Sequence, residues 1–205
     1  MPATNSPRRG RPQSGGRERI LTATFDVLRE KGIARMTTKE IAERARVSEG
    51  SIFYHYKDRV GLLTAIFDHA LAPLVELREH GIGTQGLRDT LNNFTTTVEQ
   101  FLERAIVVMF ASQSDADLRS ALTEYLNANP DRRPQRGVQL VGEYLFALQQ
   151  SGAIRADINV RTAAFMLISS CMTRISLPWL IGRTEDVPTR EEAVDDFVTM
   201  LTPSQ

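Results

Sequence analysis

Two short stretches, TTKEIAERA and EGSIFYHY, each with one apolar side, are separated by only three residues, RVS, between positions 37 and 56. A helix that short is not stable alone, because nucleation costs more than two turns of hydrogen bonds return. The pair must therefore be braced by its neighbours, and the chain supplies them. A helical pattern starts near Arg17, places Ile20, Leu21, Phe25 and Leu28 on one face and stops at Gly32. After the pair, Asp58 reads as a cap for a helix that carries Leu62, Leu63, Ile66, Phe67, Ala70, Leu71 and Leu74. Thr37 with Glu40 reads as a capping box. Ile41, Ala45, Val47 and Ile52 fall at offsets that lock two short helices together, with Ala42 small where they approach. This is the spacing of a helix-turn-helix, in which the second helix enters the major groove and the first braces it.

Past a GIGTQG break at 81–86, every long segment again has helical period: 86–112, 115–128, 134–151, 159–181 and 189–202. Pro130 and Pro134 bracket one connection, and Thr189 with Glu192 forms a second capping box behind Pro188. No alternating strand pattern and no Asn-Gly hairpin signal occurs. The expected fold is all-α, with an N-terminal three-helix helix-turn-helix module joined by a fourth helix to a larger C-terminal helical domain. The expected boundaries are a flexible basic arm at 1–15, a DNA-binding domain at 16–60 and a helical regulatory domain at 61–205.

A net charge of zero hides an asymmetry. Residues 1–60 hold 13 Lys and Arg against 7 Asp and Glu, and the remainder holds 12 against 18. A basic head on an acidic body suits a polyanion partner for the head alone. Cys171 is the single cysteine, so no intrachain disulfide forms and a reducing cytoplasm is the expected compartment. No apolar run reaches the roughly 18 residues that span a bilayer, and no membrane partner is expected. The Arg-rich N-terminus lacks the apolar segment of a signal peptide.

The residues of the second short helix suit a DNA surface. Ser48, Glu49, Gly50 and Ser51 are small or polar at its N-terminus, where the helix dipole also favours phosphate. Tyr54, His55, Tyr56, Lys57 and Arg59 put hydroxyl, imidazole and cationic donors near the backbone, and Thr38 and Lys39 start the bracing helix. Arg8, Arg9 and Arg11 would extend the contact as a basic arm. His55, His69 and His80 lack metal-ligand spacing, so no metal and no cofactor are expected. Ser169, Ser170 and Cys171 sit mid-helix without a base, no phosphate loop follows a strand, and no enzyme is expected.

The block MTTKEIAERARVSEGSIFYHYKDRVGLLTAIFD resembles the DNA-binding domain of the TetR family of transcriptional regulators. The likeness covers about residues 17–70; the rest is similar only in helix count and spacing. It implies base contacts from Lys39, Glu49, Gly50 and Ser51, and phosphate contacts from Thr38, Tyr54, His55, Lys57 and Arg59. Two residues depart from the family pattern. Phe53 replaces a tyrosine whose hydroxyl touches DNA, leaving an apolar contact of the kind a thymine methyl makes. Arg46 stands where glycine is common in the turn, at a cost of about 1 kcal/mol if φ is positive there. The resemblance further implies a small-molecule effector in the second domain, for which Phe101, Met109, Tyr125, Tyr144, Phe165, Arg174 and Trp179 are candidate lining residues. It also implies a homodimer through 159–181 and 189–202. The apolar positions expected there are Ala163, Ala164, Leu167, Ile168, Cys171 and Ile175 with Val194, Phe197, Val198 and Leu201, and Pro178 should kink the first helix. The resulting expectation is a ligand-responsive repressor on a pseudo-palindromic operator. The alternative is an activator or architectural DNA binder without a ligand.

Overall fold

In a computed structural model, residues 15–80, 86–182 and 185–203 are described. The expected basic arm with Arg8, Arg9 and Arg11, and most of the GIGTQG break, lie outside them. The chain divides into two compact units, Met1–Leu62 and Leu63–Gln205. Every regular element among the described residues is helical.

The first unit holds α1 (Gly16–Lys31), a 3-10 turn (Ile33–Arg35), α2 (Thr38–Ala45), α3 (Glu49–Tyr56) and the start of α4 (Arg59–His80). Its core is Ile20, Val27, Leu28, Ile41, Ala45, Ile52 and Leu62, all at most 2% exposed. The buried face of α1 is Ile20, Ala23, Thr24, Val27 and Leu28. That is the i, i+3, i+4, i+7, i+8 stripe. Leu21 and Phe25, expected on that face, lie at its edge, because small Ala23 and Thr24 take the positions closest to α2. Thr24 is accommodated by donating its hydroxyl to the Ile20 carbonyl at 2.7 Å. Gly32 ends α1 at φ 70°, with its N–H on the Leu28 carbonyl.

The second unit holds the rest of α4, α5 (Leu87–Ser114), α6 (Ala116–Ala128), a 3-10 turn (Pro130–Arg132), α7 (Gln135–Gln150), α8 (Val160–Ile181) and α9 (Arg190–Leu201). α5 is the hub and packs against α6, α8 and α9. Its Leu91, Phe94, Val98, Phe101, Leu102, Ala105, Ile106 and Val108 are buried at helical period. α7 and α8 approach closely. A Cβ on Gly137 would lie 3.3 Å from Ile168 Cδ1, and one on Gly142 would lie 3.9 Å from Ala164 Cβ. Asn159, Asp115 and Thr189 cap α8, α6 and α9, and Thr189 with Glu192 makes the complete reciprocal box.

Two expectations are corrected here. Ala163, Ala164, Leu167, Cys171, Val194, Phe197 and Leu201 are buried inside one chain, so they cannot form a seam with a second. Among the small residues of α8, Ala164 serves its approach to Gly142 of α7. Furthermore, α4 over Arg59–Leu77 and α8 over Val160–Ile181 are long and apolar enough to cross a membrane by length and composition, which the expectation of no such run had missed. Scattered polar residues hide the run from a search for uninterrupted apolar text. In α8 the one charge after Arg161 is Arg174, and it is paired with Glu99.

Candidate nucleic-acid interface

The α2–turn–α3 pair is built by two caps. The Thr37 hydroxyl accepts the Glu40 N–H at 3.3 Å, and the Ser48 hydroxyl accepts the Ser51 N–H at 3.2 Å. The expected box at Thr37 is only half made. The Glu40 carboxylate turns instead to Lys31 at 2.7 Å and Arg44 at 2.9 Å, and Arg44 also holds Glu30 at 2.6 Å. The Arg44 and Lys31 bonds keep both carboxyls below the usual carboxylate range. Arg46 fills the turn at φ 54°, ψ 49°, so the position does need the left-handed conformation that glycine adopts freely.

α3 is fixed at its far end by Tyr56. The ring is buried, its hydroxyl donates to the Arg17 carbonyl at 3.1 Å, and the Arg17 guanidinium lies 5.8 Å over the ring. Burial pushes the phenol pKa up. Lys57 follows at φ 64°, ψ −57°, the centre of a tight turn in which the Asp58 N–H meets the Tyr56 carbonyl at 2.7 Å. Asp58 then accepts the Gly61 N–H at 2.7 Å and starts α4. Gly61 is required there, since a Cβ would run into the Tyr56 carbonyl oxygen.

With Ile52 and Tyr56 inward, α3 turns Glu49, Gly50, Phe53 and Tyr54 to solvent. Tyr54 is 84% exposed and Phe53 48%, which is unusual for aromatics on an eight-residue helix. Lys39 on α2 and Lys57 beyond α3 are exposed as well. The His55 ring meets Tyr54 edge-on at 5.2 Å. Two expected contacts are engaged within the unit. The Thr38 hydroxyl donates to Glu49 Oε1, and Arg59 Nη2 donates to the Ile33 carbonyl at 2.7 Å. The sequence reading missed the Thr38–Glu49 bond, which joins the first residues of α2 and α3 across 11 positions, as well as the need for Gly61. Neither leaves a periodic signal.

Residues 20–66 match the family described as bacterial regulatory proteins, tetR family. The HTH-type transcriptional regulator YdeS of Bacillus subtilis (strain 168) is 38% identical over 174 residues, 82% of each chain. YvkB of the same organism, also an HTH-type transcriptional regulator, is 31% identical over 155 residues, 74% of this chain and 77% of the relative. The chain belongs to the TetR family of transcriptional regulators. The fold agrees with that of a TetR-family neighbour, the transcriptional regulator FadR from Bacillus subtilis in complex with stearoyl-CoA. The TM-score is 0.61 at 19% identity, covering 90% of this chain and 97% of that one.

In this TetR-family member the seven candidate pocket residues do not line one cavity. Phe101 and Tyr125 both set their rings edge-on to Phe67, and the Tyr125 hydroxyl donates to Asp68, which Arg132 also binds. Burial raises the Tyr125 pKa. Arg174 Nε donates to Glu99 at 2.7 Å, with Arg190 3.6 Å from the other carboxylate oxygen. Arg174 also touches the buried Cys171 sulfur at 3.5 Å, and burial pushes that thiol up to about 11. Phe165 and Trp179 are exposed, Phe165 lining an open groove of about 730 Å³ between α7 and α8 with Val138, Gly142 and Phe146. Met109 and Tyr144 are half-buried. A further recess of about 40 Å³ lies among Leu71, Leu74, Val75, Phe94 and Leu140 beside Arg132, Arg133 and Arg136, and none of the seven candidate pocket residues lines it.

Proposed function

We propose that the chain is a homodimeric, ligand-responsive repressor that reads a pseudo-palindromic operator with α3. The observation that carries this reading is the solvent face of α3. Glu49, Gly50, Phe53 and Tyr54 point outward from a helix locked at both ends, flanked by the exposed Lys39 and Lys57. Lys39 and Glu49 to Ser51 approach base edges while Tyr54, His55 and Lys57 follow the backbone. Tyr54 restores near the backbone a hydroxyl that Phe53 lacks.

The homodimer rests on α8. Its inner face is used within the chain, and its outer face carries Phe165, Met166 and Leu180, each more than 60% exposed, with Ser169, Thr173 and Ser176 between them. A stripe running the length of a 22-residue helix, apolar at both ends, suits antiparallel pairing with a second copy of itself. Burying that stripe also accounts for the hydropathy of α8 in a protein of the cytoplasm.

The effector reading draws on the neighbour bound to stearoyl-CoA. In this chain the recess beside Phe94 is too small for such a molecule as it stands, so a ligand there would favour a widened state. α4 belongs to both units, with Leu62 ending one and Leu63 starting the next, and is the element through which occupancy reaches the head.

Binding to a labelled operator across a salt series tests the reading. Lys57→Ala should weaken binding evenly across sequences and lower the salt slope by about 1. A long-chain acyl-CoA is the first effector probe. If one that demonstrably binds leaves operator affinity unchanged, the ligand-responsive part fails and an activator or architectural role without that ligand takes its place.

A further inference from the structure

The bond between Thr38 and Glu49 changes what each residue can offer DNA. A hydroxyl has one hydrogen, and here Thr38 gives it to Glu49 Oε1. Phosphate oxygens only accept. While this bond stands, the Thr38 side chain has no donor left for a phosphate, which is the role its family position implies.

Glu49 is the first residue of α3 and is exposed. Its Oε1 is held by Thr38, and its second oxygen has no partner among the described residues. The neighbouring hydroxyls are engaged with each other rather than with Glu49. Ser48 and Ser51 bond each other at 2.8 Å, and Ser48 caps the Ser51 N–H. Gly50 beside it adds no side chain, and the nearest atom to a Cβ there would be Ser48 Oγ at 3.9 Å. An aimed acceptor therefore stands at the tip of the reading helix.

A carboxylate is repelled by phosphates and by the acceptor edges of guanine and thymine. In the major groove only the amino groups of cytosine and adenine donate. Cytosine is the better match, because its N4 amino group has a C–H beside it on its own ring. The adenine N6 amino group has the N7 lone pair beside it, which a carboxylate opposes and a carboxamide satisfies.

We propose that Thr38 is a positioning residue that aims Glu49, and that Glu49 specifies a cytosine in each operator half-site. The inference rests on the reading of α3 as the DNA-contacting helix.

Selection of bound DNA from a random pool, run in parallel with the full-length wild type and four variants, tests it. The wild type is expected to enrich one invariant cytosine per half-site. Glu49→Gln, nearly isosteric, should turn that position to adenine, and Glu49→Ala should remove the preference. Thr38→Val should weaken discrimination for cytosine at that position by about tenfold without changing the salt slope. Thr38→Ser should restore it. If the Glu49 variants enrich the wild-type sequence unchanged, Glu49 does not read a base and the proposal fails while DNA binding stands. A Thr38→Val protein that binds all sequences evenly more weakly, with a reduced salt slope, would show a phosphate contact and overturn the positioning role. A wild type that enriches nothing overturns both this proposal and the reading beneath it.

Discussion

Arg46 and Lys57 are the non-glycine residues with positive φ among those described, and they bracket α3. A side chain in the left-handed region costs about 1 kcal/mol or more, and the Lys57 conformation lies outside even that region's centre. Strain therefore sits at both ends of the helix proposed to read DNA, held by Tyr56 and the Asp58 cap. Lys57→Gly should raise the stability of the free protein by about 1 kcal/mol in denaturant melts while weakening DNA binding, because relief of strain and loss of the cation act separately. Gly61→Ala should do the reverse and destabilise by about 2 kcal/mol, since its Cβ meets a backbone carbonyl that cannot yield without moving the Tyr56 turn. Equal stability of Gly61→Ala and wild type would contradict the close approach.

Elements were legible where periodicity and capping agree. The α2 and α3 limits follow from Thr37, Ser48 and the apolar offsets, and α9 from its complete box. What escaped was the choice among competing partners. Glu40 stands three residues after Thr37, as in α9, yet Lys31 and Arg44 attract its carboxylate more strongly than an amide does. The same competition hid Thr38 behind Glu49. The Glu30–Arg44–Glu40–Lys31 network has a pH consequence. Both carboxyls titrate below their ordinary range in the folded head, so their contribution is present above the unfolded carboxylate pKa and is lost as pH falls through the lowered folded values. Urea midpoints should therefore drop more between about pH 6 and about pH 3 in the wild type than in Arg44→Met. Equal drops would show that the network does not couple to folding. In the second unit, Glu99 ties α5 to α8 and α9, with Glu99 and Arg174 side chains each 12% exposed. Arg174→Ala leaves that carboxylate short of its main partner and should cost about 3 kcal/mol in a thermal or denaturant melt. A cost below about 1 kcal/mol would mean that Arg190 and water replace it.

For the whole molecule, the opposite charges of the first 60 residues and the rest are informative in a way that net charge is not. The asymmetry is what the proposed function requires, a head attracted to a polyanion on a body that is not. The body was harder to read, because apolar residues on α8 serve two purposes that sequence does not separate. Ala163, Ala164 and Leu167 pack inside the chain, and Phe165, Met166 and Leu180 face out. Helical period marks both sets; the positions of α5 and of α7, brought close by Gly137 and Gly142, decide which is inner. The proposed function requires two copies that present α3 to DNA about a two-fold axis. Random-pool selection with the purified wild-type protein is the direct test. The expected result is an enriched inverted repeat whose half-site centres lie roughly one helical turn, or a multiple of it, apart. Enrichment of a single asymmetric site, or of no sequence at all, would contradict it.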